Sequence, residues 1–147
     1  MNQETLKQRT KKFALKIIEL VERLPKTVTG RAIANQLVRC GTSVGANYRA
    51  ACRGRTRAEF VAKLGIVVEE ADETAFWLEL IIEAAILPKE DILPLLSEAN
   101  ELAAIFVSSR KTASGNNSSI GNQKSSKGLV VRSSIANRQS SMDLIEG

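Results

Sequence analysis

Histidine is absent from this 147-residue chain. That excludes Ser-His-Asp triads, His-based acid–base chemistry and most zinc sites. It also excludes the Glu-x-x-His ligands of di-iron bundles, so neither a metal nor another cofactor is expected. Aromatic residues are scarce, at 4%. The core must therefore be mostly aliphatic, which favours helices, because strands draw on aromatic and β-branched side chains. Only three prolines occur, and Pro25 and Pro88 fall where turns are wanted. The two cysteines, Cys40 and Cys52, stand twelve positions apart in one apparent helix. That spacing is about 18 Å at the helical rise, whereas a disulfide needs Cα atoms within about 7 Å. Without a histidine base, both read as structural thiols. With no signal peptide, the expected compartment is cytoplasmic. No uninterrupted apolar run approaches the roughly 20 residues of a membrane span. The greasiest stretch, residues 76–87, is broken by Glu79 and Glu83.

What is plentiful is charge, unevenly distributed. Residues up to Lys63 hold 14 Lys and Arg against 4 Asp and Glu, a net of +10. Residues 64–113 hold 3 against 10, a net of −7. Either the two halves pack together and pair their charges, or the basic half presents a surface to nucleic acid.

Apolar spacing predicts an all-α, antiparallel up-down four-helix bundle over residues 1–113. The first helix runs from Glu4 to Leu24, with Leu6, Thr10, Phe13, Ile17, Leu20 and Leu24 spaced alternately four and three as a bundle seam. Thr10 is its one polar member. The second starts near an N-cap at Thr29 and reaches Gly54, burying Ile33, Leu37, Val44 and Tyr48. Gly41 and Gly45, one turn apart, predict either a close helix crossing or a local kink. The third runs from Arg57 to Leu87 behind Thr56, and its apolar surface is wider than one stripe. Such a helix needs more than one partner, which points to self-association. The fourth runs from Lys89 to Ser109, with Pro94 early in it, where a helix tolerates proline. Short connections make neighbouring helices antiparallel.

Residues 114–147 carry Ser-Ser at 118, 125, 133 and 140, opening four units of seven or eight residues. None has a helical stripe, so a disordered, low-complexity Ser-rich tail is expected. A seven-residue period is what a seven-nucleotide DNA repeat gives on translation, so repetitive DNA read into the gene's end is one origin and a binding tail the other.

The most informative cluster is basic. Arg49, Arg53 and Arg57 recur every four residues, on one face where the helix continues that far; Arg55 stands beside them and Lys63 follows in the third helix. Arginines at a bundle end suit phosphate oxygens, which they bond in bidentate fashion. The alternative is pairing with the third helix's carboxylates, Glu69, Glu70, Asp72 and Glu73, in the same or a neighbouring subunit. Tyr48 is the aromatic residue read beside this cluster, and binding would rest on backbone and shape rather than base stacking. The segment Gly41-Thr-Ser-Val-Gly45 lacks the Gly-Lys-Ser/Thr ending of a phosphate loop and any strand before it.

Three stretches carry a family resemblance: LKQRTKKFALKIIELVERLPKTVTG (6–30), RCGTSVGANYRAACR (39–53) and AEFVAKLGIVVEEADETAFWLELI (58–81). They resemble the bacterial four-helix-bundle proteins whose founding members are encoded by intervening sequences within large-subunit ribosomal RNA genes. More distantly, the chain resembles the accessory protein of diversity-generating retroelements, which binds nucleic acid through a basic surface of its ring. The resemblance implies an up-down bundle assembled as a ring-shaped homopentamer, and Arg49, Arg53 and Arg57 match the family's pattern. Cys40, Ala50 and Glu69 depart from it. Two functions follow as expectations for a non-enzymatic protein. One is an accessory protein binding RNA, or DNA, through Arg49, Arg53, Arg55, Arg57 and Lys63. The other is a structural, scaffolding homo-oligomer with no nucleic-acid ligand.

Overall fold

The computed structural model of the chain describes residues 1–115. Four helices make up this part: α1 (Gln3–Val21), α2 (Val28–Cys52), α3 (Arg57–Glu83) and α4 (Lys89–Ala113). Each packs on the next in sequence, and α1 returns to α4 through a lighter contact, so α1 and α3 are diagonal in an antiparallel bundle. Most of the serine-rich tail expected from residue 114 onward, residues 116–147, lies outside the described residues.

The α1 seam is buried as its spacing demands: Leu6, Thr10, Phe13, Ile17 and Leu20 face inward, and Leu24 remains in the core beyond the helix end. Thr10 is tolerated at 0% exposure because its hydroxyl donates to the carbonyls of Leu6 (2.9 Å) and Lys7 (3.1 Å). The glycine pair marks a close crossing. A Cβ on Gly41 would stand 2.8 and 2.9 Å from the two γ-carbons of Ile17, and one on Gly45 would stand 3.3 Å from Thr10 Oγ1. The whole 41–45 segment is helical, so it forms no phosphate loop.

Several boundaries differ from the sequence expectation. Helix α1 stops at Val21 and closes through tighter turns, Arg23 N–H to Leu20 O and Leu24 N–H to Val21 O, ahead of Pro25. The N-cap of α2 is Thr27, not Thr29: its hydroxyl accepts from Gly30 N–H at 3.0 Å, and Gly30 fits beneath Pro25 because it has no Cβ. Helix α3 ends at Glu83 rather than Leu87. The N–H of Ile86 bonds Ile81 O and that of Ala85 bonds Ile82 O, a Schellman closure with Ala85 at φ 54°. Helix α4 continues a turn past Ser109, to Ala113. Pro94 is its sixth residue and so lies beyond the first turn, where its missing N–H would have bonded the Glu90 carbonyl.

Ion pairs tie the basic half to the acidic half. Arg9 holds Glu98 through two hydrogen bonds, of 2.9 and 2.7 Å, and reaches Glu101 at 3.0 Å. Arg23 pairs with Asp91 at 2.7 Å, and Arg39 reaches Glu70 and Glu73 at 3.4 and 2.5 Å. The first clasp joins α1 to α4, the second joins the turn after α1 to α4, and the third joins α2 to α3. The hydroxyl of Thr74, buried in α3, donates to Glu70 O. Helix α4 is long and apolar enough to cross a membrane, with an 18-residue mean hydropathy of 1.2. Its apolar stripe, Ile92, Leu95, Ala99, Leu102 and Phe106, is nonetheless spent inside the bundle core.

Candidate nucleic-acid interface

Helix α2 ends at Cys52, so Arg53 is its C-cap and Arg57 begins α3. The four-residue spacing of Arg49, Arg53 and Arg57 therefore does not set them on one helical face. They surround a corner between two antiparallel helices. Gly54 makes that corner possible: a Cβ there would meet Ala51 O at 3.1 Å and Glu59 Cβ at 3.4 Å. Its N–H closes the turn onto Ala51 O at 3.0 Å.

The start of α3 is locked by a reciprocal cap. Thr56 Oγ1 accepts from Glu59 N–H at 3.1 Å, and Glu59 Oε2 accepts from Arg55 N–H at 2.7 Å. The one carboxylate of the corner is thus bound to backbone, while the Arg53, Arg55 and Arg57 side chains stand exposed. Arg49 lies exposed one turn back on α2, and Lys63, exposed as well, sits about 9 Å further along α3 at the helical rise. The ion pairs among the described residues use Arg9, Arg23 and Arg39 instead. Glu70 and Glu73, about 20 Å or more along α3 from Arg57 at the helical rise, pair with Arg39.

The helix register adds residues that the sequence did not connect to this site. Arg110, near the end of α4, donates from Nε to Val61 O at 3.2 Å and lies 3.2 Å from where a Gly65 Cβ would be. Val61 is one turn into α3, so Arg110 and Lys111 share the bundle end with the arginine corner. No linear signal joins positions some 50 residues apart; only antiparallel pairing of α3 and α4 reveals it.

No aromatic face is offered to bases by Tyr48. Tyr48 is buried, with its ring 4.9 Å from that of Phe106 at the core. Burial, with the adjacent Cys52, pushes its phenol well above the usual range. Cys40 is likewise buried, and its thiol is raised to about 11, mainly by desolvation. A thiol held protonated in this way is a poor nucleophile. Among the described residues no group of three His, Cys, Asp or Glu is placed to hold a metal ion.

The family model for the 23S rRNA-intervening sequence protein matches residues 3–108, the four helices almost end to end. The chain belongs to this family. A crystal structure from Bacteroides thetaiotaomicron, described as a protein of unknown function from the S23 ribosomal protein family, is 32% identical. It superposes with a TM-score of 0.70, covering 76% of this chain and 99% of its own. No curated protein matches. Neither description names an enzymatic activity, and the family assignment covers every residue of the arginine corner.

Proposed function

We propose that this intervening-sequence family member is a non-enzymatic, self-associating accessory protein that binds the phosphate backbone of structured RNA at the α2–α3 corner. One observation carries the reading: four arginines within nine residues stand exposed at that corner, while carboxylates of α3 and α4 are already engaged by Arg9, Arg23 and Arg39. The first turn of α3 adds backbone N–H groups and partial positive charge, both suited to phosphate. With Tyr48 buried and Phe60, in the first turn of α3, packed against the core, phosphate and shape rather than base faces are what the corner reads. Several copies of the patch on one assembly would add weak contacts through multivalency. The homopentamer implied by the resemblance is one such assembly, and a cytoplasmic setting suits two free thiols.

The test is a salt titration of binding to structured RNA and to duplex DNA, comparing wild type with an Arg53→Glu, Arg57→Glu double variant. Each phosphate that the protein ceases to neutralise lowers the slope of log affinity against log salt by about 0.9 on duplex, so the double variant should give up nearly two units of slope per subunit. Wild-type affinity and slope in the variant would remove the corner as the site. A change of oligomeric mass in the variant would make these arginines subunit-interface residues and favour a scaffolding oligomer with no nucleic-acid ligand. No binding of either nucleic acid at low salt would end the accessory-protein reading.

A further inference from the structure

Helices α1 and α4 meet more lightly than any other neighbouring pair of the bundle. Charge closes their seam at two places: Arg9 on Glu98 and Glu101, and Arg23 on Asp91. Between the two clasps lies a groove of about 370 Å³, within the roughly 300–1,000 Å³ of small-molecule clefts. Lys12 and Lys16 line it from α1 and Pro94 from α4, over the core side chains Phe13 and Leu95.

The two walls are mismatched in charge. From Arg9 through Lys12 and Lys16 to Arg23, at spacings of three, four and seven, runs one basic stripe on the α4 side of α1. Helix α4 answers with Asp91 and with Glu98, but carries no acidic residue between them. Pro94 stands there instead, with neither a charge nor a backbone N–H to offer. Lys12 and Lys16 are exposed and make no ion pair among the described residues. Glu98 and Glu101 are both held by Arg9. Glu19, three residues past Lys16, is exposed and does not line the groove. Arg9, Lys12 and Lys16 against Glu98 and Glu101 leave a net of 3 − 2 = +1, which suits a monoanion.

We propose that this groove binds a short aliphatic carboxylic acid as its carboxylate. The headgroup lies on Lys12 and Lys16 and takes the place of the acidic side chain that α4 lacks. The chain lies along Pro94 and the edges of Phe13 and Leu95, where its methylenes leave water. Arg9 and Lys16 are about 10 Å apart at the helical rise, so the chain is a short one. The site goes beyond the proposed function and depends on neither RNA binding nor self-association. It uses α1 and the first half of α4, and none of the arginines of the α2–α3 corner.

Equilibrium dialysis of the full chain against labelled octanoate tests it. Octanoate should bind about tenfold or more tighter than butyrate, since each methylene buried is worth about a factor of four. Octylamine, with the same chain and the opposite charge, should not bind. Lys12→Glu with Lys16→Glu should weaken octanoate binding about tenfold or more, as loss of hydrogen bonds to a charged group does. Both positions are exposed, so helicity by circular dichroism should not change. Pro94→Glu supplies the missing carboxylate from the protein itself, and restores an N–H to the Glu90 carbonyl. It should exclude octanoate while raising the melting temperature. The Arg53→Glu, Arg57→Glu variant should bind octanoate as the wild type does, which separates this site from the corner. No octanoate bound by the wild type overturns the proposal, as does wild-type affinity in either groove variant. Butyrate binding as tightly as octanoate, or octylamine binding at all, overturns the aliphatic-acid assignment. Displacement of octanoate by structured RNA, or its loss in the corner variant, would place the lysines in the nucleic-acid surface and overturn the separate site.

Discussion

Gly41→Ala sets two familiar effects against each other, and the structure decides the sign. In an exposed helix the change would stabilise by about 1 kcal/mol through helix propensity. At Gly41 the new Cβ would stand 2.8, 2.9 and 3.2 Å from three carbons of Ile17. Comfortable carbon–carbon separation is about 3.5–4.0 Å, so every one of these approaches is repulsive. Ile17 cannot swing away: it is β-branched and 0% exposed, with core on all sides. Relief must come from moving α1 off α2, and overpacking of this kind costs about 1–3 kcal/mol. The net expectation is a destabilisation of about 1 kcal/mol, with the overpacking term larger than the propensity gain. Gly45→Ala is the internal control, because its nearest neighbours, at 3.3–3.4 Å, need yield only slightly. It should be neutral or mildly stabilising. Ile17→Ala alone should cost about 2–5 kcal/mol. Combined with Gly41→Ala it should cost less than the sum, by about 1 kcal/mol, because the new methyl enters the space vacated. Urea denaturation at fixed protein concentration measures all four, since self-association would otherwise shift the midpoints. Gly41→Ala as stable as wild type, or additive with Ile17→Ala, would refute the close α1–α2 crossing.

Ala85 occupies the left-handed position of the α3 Schellman closure, at φ 54°, and is exposed. Ala85→Gly relieves a strain of about 1–2 kcal/mol and gives back about 0.5–1 kcal/mol in unfolded-chain entropy, so a small net gain in the urea midpoint is expected, whereas Ala85→Val should lower it. Burial, with Glu83 near, raises the Glu79 carboxyl above its ordinary 4.5. A carboxyl raised in the fold contributes stability below its unfolded value and loses it as pH climbs through the folded one. Glu79→Gln should therefore be more stable than wild type near neutral pH, with the difference vanishing toward about pH 4 in a series of urea midpoints; a gap that is independent of pH would mean that Glu79 is not desolvated.

The seam of α1 is legible in the sequence because a 3-4 alternation of apolar residues marks the inward face of a bundle helix, and every residue so chosen is buried. Boundaries are less so. Thr27 and Thr29 flank Val28 equally well as caps; what selects Thr27 is the fit of Gly30 under Pro25, an approach with no local signature. Helix α3 ends ahead of the expected Leu87 because a left-handed C-terminal residue is sought as glycine, and here it is alanine. Ser108 and Ser109 suggest an early end to α4, although its last turns persist, with Thr112 bonding back to Ser108 O at 3.1 Å. At the candidate site the residue types are legible and their geometry is not. A four-residue arginine spacing implies a helical face only while the helix lasts, and Gly54 ends it between the second arginine and the third.

The arginines of this bundle fall into two groups, and the difference bears on what the corner is for. Arg9 and Arg39 each cross from one helix to a carboxylate on another, and Arg23 reaches α4 from the turn after α1; their contribution is to hold neighbouring elements together. Arg53, Arg55 and Arg57 do the opposite of what stability asks. They crowd like charges into five residues, and Arg57 occupies the first turn of α3, where the helix dipole favours an acidic side chain. Glu59 occupies that turn too, but its carboxylate is spent on the Arg55 N–H. The corner therefore keeps a net positive charge, the single carboxylate of Glu59 being set against three sources: the guanidinium groups, the α3 N-terminus and Arg110 arriving from α4. An anion with several oxygens would relieve all three at once, and a phosphate backbone supplies such anions at a regular spacing. A carboxylate from a neighbouring copy could relieve the same strain. The two cases separate in the Arg53→Glu, Arg57→Glu variant: loss of phosphate binding at unchanged oligomeric mass supports nucleic acid, and a change of mass supports a neighbouring copy.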